Sequence, residues 1–201
     1  MFQNIRILMC AVILAVTGSA AQAEDHPAQK LVVDAISSML QVFKEDGDKL
    51  KSDPEYLQAK VDELIVPNLD FESMTRLAVS KFWRRADADQ QKQLIDEFTT
   101  LLLNTYTGAL TEYSGEEISF APFKPEDRED RAVVSSTFGQ SAGNDVPVLY
   151  KLRDKGGWSI YDIEVNDISL VTSYRSAFSS EIEKGGIDGL IEALKDRNGK
   201  S

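Results

Sequence analysis

The chain has 201 residues, one cysteine, one histidine and a formal net charge of −11. That length fits a single domain with a sizeable core. The acidic balance disfavours nucleic acid as a ligand, because such binding needs clustered lysine and arginine; the lone cysteine excludes a disulfide framework and a Cys/His zinc cluster, and the one histidine, His26, sits in a polar lead and is not expected to serve a nucleophile.

The first residues read as a secretory leader: Arg6 gives the positive start, Ile7 to Val16 a short apolar run, and Ala21-Gln22-Ala23 a small-x-small cleavage site. The apolar run is shorter than the roughly 20 residues that span a bilayer, so cleavage after Ala23 is expected, leaving one domain over residues 24–201. Cys10 lies inside that run behind Met9, which does not suit lipid anchoring, and it leaves with the leader.

From Leu31 to Leu50, Leu31, Val32, Ala35, Ile36, Met39, Leu40 and Phe43 fall at helical spacing and predict a first helix. Asp53-Pro54 caps a second, whose stripe runs from Tyr56 to Ile65 and closes at Val66-Pro67-Asn68. Asp70 caps a third over Phe71 to Phe82, and Asp87 with Gln90 three residues on forms a capping box for a fourth. Its stripe of Leu94, Phe98, Leu101, Leu102, Tyr106, Ala109, Leu110 and Tyr113 is wide and ends at Ser114-Gly115.

The period then changes to two, and four strands are predicted: Ile118 to Phe123, Ala132 to Phe138, Val146 to Arg153 and Trp158 to Val165. The third alternates Val146, Val148, Tyr150 and Leu152 with Pro147, Lys151 and Arg153, as expected of a sheet covered on one side. The fourth has Trp158 and Ile160 on one face and Tyr161, Ile163 and Val165 on the other, which predicts a central strand. Ser173 to Lys184 and Ile187 to Arg197 read as two closing helices separated by Gly185-Gly186. Helices, an antiparallel four-stranded sheet and two further helices describe an α+β fold, a curved sheet with helices on one face that can hold a ligand between its layers.

Candidate chemistry is sparse. Glu45-Asp46-Gly47-Asp48 lacks the alternating ligands of a calcium loop and reads as a solvated helix end, and no glycine-rich phosphate loop follows a strand. Asp162, Glu164 and Asp167 cluster near the last strand; Asp162 interrupts an apolar run, either as a structural hydrogen-bonding carboxylate or as the acid/base group of a cup-fold enzyme on a small apolar substrate.

Two blocks resemble the MlaC family of periplasmic phospholipid-binding proteins, the toluene-tolerance auxiliary components of ABC transporters. The first runs from Val66 to Val79, VPNLDFESMTRLAV, and continues through Lys81-Phe82-Trp83-Arg84 and the helix to Leu110. The second is Gly157-Trp158-Ser159-Ile160-Tyr161-Asp162-Ile163-Glu164, then Ile168-Ser169-Leu170-Val171 and Tyr174-Arg175, ending in Gly186-Ile187-Asp188-Gly189-Leu190. One departure is Asp89-Gln90, where the family often has proline between the alanine and the glutamine; it alters a helix cap only.

The resemblance implies a cystatin- or NTF2-like cup, no catalysis, and no cofactor beyond phospholipid as cargo. It further implies a soluble periplasmic monomer that shuttles lipid between an outer-membrane MlaA–porin complex and an inner-membrane, MlaD-containing ABC transporter, maintaining outer-membrane lipid asymmetry. Such a carrier needs a deep apolar lining, expected from Phe82, Phe98, Leu102, Tyr106 and Leu110, from Val148, Tyr150, Leu152, Trp158 and Ile160, and from Val171, Tyr174 and Phe178. Lys81, Arg84 and Arg85 form a basic cluster suited to a headgroup phosphate or an acidic partner, or to offsetting a helix dipole.

Overall fold

The computed structural model describes residues 26–139 and 145–200; the predicted leader lies outside them. Helix α1 spans Pro27–Ser52. It begins before the apolar stripe because His26 caps it, its Nδ1 accepting the Ala28 N–H at 3.2 Å, and Pro27 follows at the first helical position. The imidazole is held by stacking on Phe123 at 4.1 Å and by an edge contact with Trp158 at 5.0 Å between centroids. The acidic run does not end α1 but bends it: Asp46 leaves helical geometry (φ −127°, ψ 26°) and the helix resumes to Ser52. Asp53 then caps α2 (Pro54–Leu64), accepting the Tyr56 N–H at 3.0 Å.

After a tight turn at Val66–Asn68, Asp70 caps α3 (Phe71–Val79). The predicted third helix is shorter than expected, because Ser80 takes φ 58° and Ser80–Arg85 continues as a 3-10 segment. The capping box of Asp87 and Gln90 opens α4 (Ala88–Tyr106), which also stops early and gives way to a 3-10 turn at Gly108–Glu112, where glycine weakens the helix.

The sheet has five strands rather than four, in a plain antiparallel meander: β1 (Ile118–Phe120), β2 (Arg131–Phe138), β3 (Val146–Asp154), β4 (Trp158–Val165) and β5 (Ile168–Ser169). β1 ends before the predicted Phe123, with Pro122 lacking the N–H that continued pairing needs. β5 follows a hairpin turn in which both Asn166 and Asp167 have positive φ, and its two residues are too few to show alternation in sequence.

β4 corrects the expectation of a strand apolar on both faces. Leu152 pairs with Ile160 and Lys151 with Asp162, so Tyr161 is an extra residue without a partner. This β-bulge resets the alternation, and Ile160, Ile163 and Val165 all face the same core as Val148, Tyr150 and Leu152. Asp162 is thereby placed on the opposite face with Lys151 and Glu164. α5 (Arg175–Asn198) breaks at Gly186, whose φ of 72° favours glycine, and so consists of the two predicted helices.

Two apolar clusters hold these layers. The larger joins the concave sheet face to α4, α5, α3 and the start of α1, with Leu94, Phe98 and Leu152 fully enclosed. The smaller, Met39, Leu50, Leu57 and Val61, zips the far half of α1 to α2.

Asp70 fastens α3 to the sheet. Its carboxylate accepts the Ser73 N–H and pairs with Lys155 at 2.9 Å, its backbone N–H donates to the Ile160 carbonyl at 2.8 Å, and Arg153 and Lys155 each donate to Ser73 Oγ at 3.0 Å. Burial by itself would raise the Asp70 pKa, but hydrogen bonds from Ser73 and Lys155 outweigh it and hold the carboxyl below its usual value. A carboxyl depressed on folding stabilises the protein above its unfolded pKa, and that contribution fades as pH falls below about 4. Asp70→Ala is expected to destabilise the fold by about 1 to 3 kcal/mol at neutral pH in urea melts, and Asp70→Asn to flatten the acid limb of the stability curve. An unchanged acid limb would show the clasp to be inert.

Candidate functional site

Between the two clusters lies a cavity of about 290 Å³. Its floor is the sheet, through Ile118, Phe138, Tyr150 and Ile163; one wall is α1, through Ile36, Met39, Leu40 and Phe43. Val61 and Ile65 of α2 and Leu69, Phe71 and Met74 around the start of α3 form a second wall. The end of α4 and the turn beyond it add Leu102, Leu103, Tyr106, Thr107, Leu110 and Tyr113, and Leu170 with Val171 completes the ring.

The lining is apolar, and three of its four polar side chains face partners outside it. Tyr113 donates to the Glu116 carbonyl at 3.1 Å, Ser136 Oγ donates to the Tyr150 hydroxyl at 3.4 Å, and the Tyr106 hydroxyl faces Tyr174. Burial, reinforced by Tyr174, pushes the Tyr106 pKa up to about 12, and burial also raises Tyr150. All three hydroxyls are therefore neutral, partnered rims of rings and not nucleophiles. Thr107 is the one other polar residue in the wall.

Of the expected lining, Leu102, Tyr106, Leu110, Tyr150 and Val171 border the cavity. Phe98, Tyr174 and Phe178 instead pack on one another, with ring centroids 5.1 to 5.6 Å apart, in the solid core between α4 and α5. Val148, Leu152 and Ile160 are sheet core, Trp158 sits beside His26, and Phe82 is buried beneath the cations of Lys81 and Arg85, 4.9 and 5.5 Å from its centroid. Lys81, Arg84 and Arg85 are exposed on the 3-10 segment and none borders the cavity. Two parts of the wall lie outside the expected lining: α1, although its stripe of Ile36, Met39, Leu40 and Phe43 is visible in the sequence, and Ile163, whose facing the bulge hides.

Asp162 is 1% exposed and lies outside the lining. Ser169 Oγ donates to it at 2.7 Å and itself accepts the Thr172 N–H at 2.9 Å, while Lys151 Nζ stands 3.7 Å from the carboxylate and also contacts Glu164. This network ties β3, β4 and β5 to the turn that follows. Among the described residues no group of three or more His, Cys, Asp or Glu is arranged to hold a metal, and no helix is long and apolar enough to cross a membrane.

An apolar hollow between a meander sheet and its helices is a shape that many families share. The family model described as MlaC protein matches residues 33–196 of this chain, nearly all of the described structure. The chain belongs to the MlaC family. Curated MlaC relatives include the toluene tolerance protein ttg2D of Pseudomonas putida, 25% identical over 154 residues, covering 76% of this chain and 71% of that protein. Another is the intermembrane phospholipid transport system binding protein MlaC of Haemophilus influenzae, 24% identical over 179 residues, covering 87% and 83%. Among solved structures, the phospholipid-binding protein of Ralstonia solanacearum, determined in complex with a phospholipid, superposes with a TM-score of 0.78 at 33% identity, over 87% of this chain and 98% of that one. The MlaC fold of helices on an antiparallel sheet is thus common to both.

Proposed function

We propose that the protein is a periplasmic phospholipid carrier whose cavity encloses acyl tails, moving lipid between an outer-membrane MlaA–porin complex and an inner-membrane, MlaD-containing ABC transporter and so maintaining outer-membrane lipid asymmetry. The observation that carries this reading is the cavity wall, which is apolar but for Thr107 and three tyrosines whose hydroxyls face groups outside the lining. A diacyl lipid with roughly 30 methylenes would cost on the order of 24 kcal/mol to expose to water, at about 0.8 kcal/mol each, so a carrier must enclose its tails. The family relationship and the phospholipid seen in the Ralstonia solanacearum protein support the same ligand.

The volume of about 290 Å³ is close to twice that of an engineered protein cavity of about 150 Å³ that binds benzene, so it takes a length of tail and must widen for a whole lipid. The wall able to yield is the α1–α2 hairpin, packed by its own small cluster and bent at Asp46. Lys81, Arg84 and Arg85, exposed and outside the lining, suit an acidic partner surface. The leader expected to end at Ala23 supports the periplasmic location.

Mass spectrometry of an organic extract from gently purified protein tests the reading. Stoichiometric phospholipid is expected; a fully stable protein that is consistently empty would overturn it. Catalysis is not part of this function, and Asp162→Asn is expected to leave lipid content unchanged while lowering stability by about 1 kcal/mol through the weakened Ser169 and Lys151 contacts. Lipid lost from a stably folded Asp162→Asn protein would instead give that carboxylate a role at the ligand.

A further inference from the structure

The apolar cavity adjoins a second hollow of about 580 Å³, and the two share Leu40, Phe43 and Tyr113 as a common border. Its character is different. Gln41, Lys44, Asp48 and Lys51 recur along α1 at steps of three and four residues, so they form one polar stripe beside the apolar stripe that walls the tail cavity. The bend at Asp46 falls in the middle of this stripe, and Ser114-Gly115 closes the opposite side.

The neighbouring charges on α1 are already engaged. Glu45 accepts from Gln41 at 2.6 Å, Asp46 accepts from the Tyr56 hydroxyl at 2.7 Å, and Lys49 lies 3.7 Å from the Tyr56 ring centroid. Lys44, Asp48 and Lys51 are exposed and make no side-chain hydrogen bond or ion pair among the described residues. In a chain of net charge −11, two unneutralised lysines flanking one free carboxylate, at the edge of an apolar hollow, make a site for a group carrying both signs.

We propose that this hollow receives the headgroup of the lipid whose tails fill the adjoining cavity, with Lys44 and Lys51 on the phosphodiester and Asp48 on a headgroup ammonium, which favours phosphoethanolamine over phosphoglycerol. The inference rests on the carrier reading above and adds selectivity to it. Each contact is solvent-exposed and screened, so selectivity is modest: about two- to fivefold from Asp48 and roughly tenfold in retention from the two lysines together.

The test uses the full protein equilibrated with vesicles of equal phosphatidylethanolamine and phosphatidylglycerol, followed by quantification of the bound lipids. The wild type is expected to be enriched in phosphatidylethanolamine. Asp48→Asn is expected to shift the bound mixture about two- to fivefold toward phosphatidylglycerol, and Lys44→Gln with Lys51→Gln to speed lipid release about tenfold, with thermal stability unchanged in both because the side chains are exposed. Stoichiometric lipid of the same composition and release rate in all three proteins would overturn the headgroup site while leaving the carrier reading intact; wild type with no phospholipid at all would overturn the carrier reading itself. Inorganic phosphate provides the remaining arm: saturable phosphate binding to the delipidated wild type, lost in the lysine double variant with no effect on lipid release, would assign the lysines to free phosphate and overturn the proposal.

Discussion

Leu102→Asp is expected to lower phospholipid retained per protein more than tenfold. Leu102 borders the cavity near the end of α4 and is 8% exposed, so the new carboxylate faces either packed side chains or the tail itself. An ionised carboxylate in such a wall costs several kcal/mol, and the energy is recovered only by admitting water where the tail should lie. The same change also weakens the core, so Thr107→Trp is the companion variant. Thr107 is half-buried in the cavity wall, and an indole there fills space without placing charge in the packed layers. Both variants are expected to lose lipid in the extraction assay, with Thr107→Trp keeping the wild-type melting temperature. Normal lipid content in Thr107→Trp would show that the tails lie elsewhere.

Phe98→Ala separates core from cavity by having the opposite signature. Phe98 is 1% exposed and meets Tyr174 and Phe178 edge-on at 5.2 and 5.1 Å, away from the cavity lining. Truncating a fully packed phenylalanine removes its burial and leaves a void that neighbours fill only in part, for a loss of about 3 to 5 kcal/mol. Chemical denaturation is expected to show that loss with an unchanged slope, while protein kept well below its transition still carries phospholipid. A small stability change accompanied by complete loss of lipid would move Phe98 into the ligand-contacting wall and redraw the site.

Much of the fold is legible in the chain because the caps are strong. Asp53-Pro54, Asp70 and the Asp87/Gln90 box each start the helix they announce, and Gly186 breaks α5 where the glycine pair predicts. The differences have local causes. A capping histidine lies outside the usual Ser, Thr, Asp and Asn set, so α1 begins ahead of its stripe. A single bulge at Tyr161 reverses the facing of every residue after it, which made β4 read as two-sided and hid Ile163.

The site is less legible than the fold for a physical reason. Periodicity says which side of a helix or strand is buried, but Phe98 and Leu102 share the buried face of α4, one packed against α5 and the other bordering a hollow. Whether atoms or empty space lie opposite a buried side chain depends on how several elements are spaced, and no one stripe carries that information. Likewise Lys44 and Lys51 look like any solvated helix charges until the neighbouring partners of Glu45, Asp46 and Lys49 are seen.

The placement of tails between α1, α4 and the sheet is tested most directly by photo-cross-linking with a phospholipid bearing a photoreactive group at the tail end, followed by mapping of the adducts. Adducts on Ile36, Leu103 and Ile163, which come from three separate elements and all border the cavity, are the expected result. Adducts confined to the exposed Ile168 or to the 3-10 segment holding Lys81, Arg84 and Arg85 would contradict it.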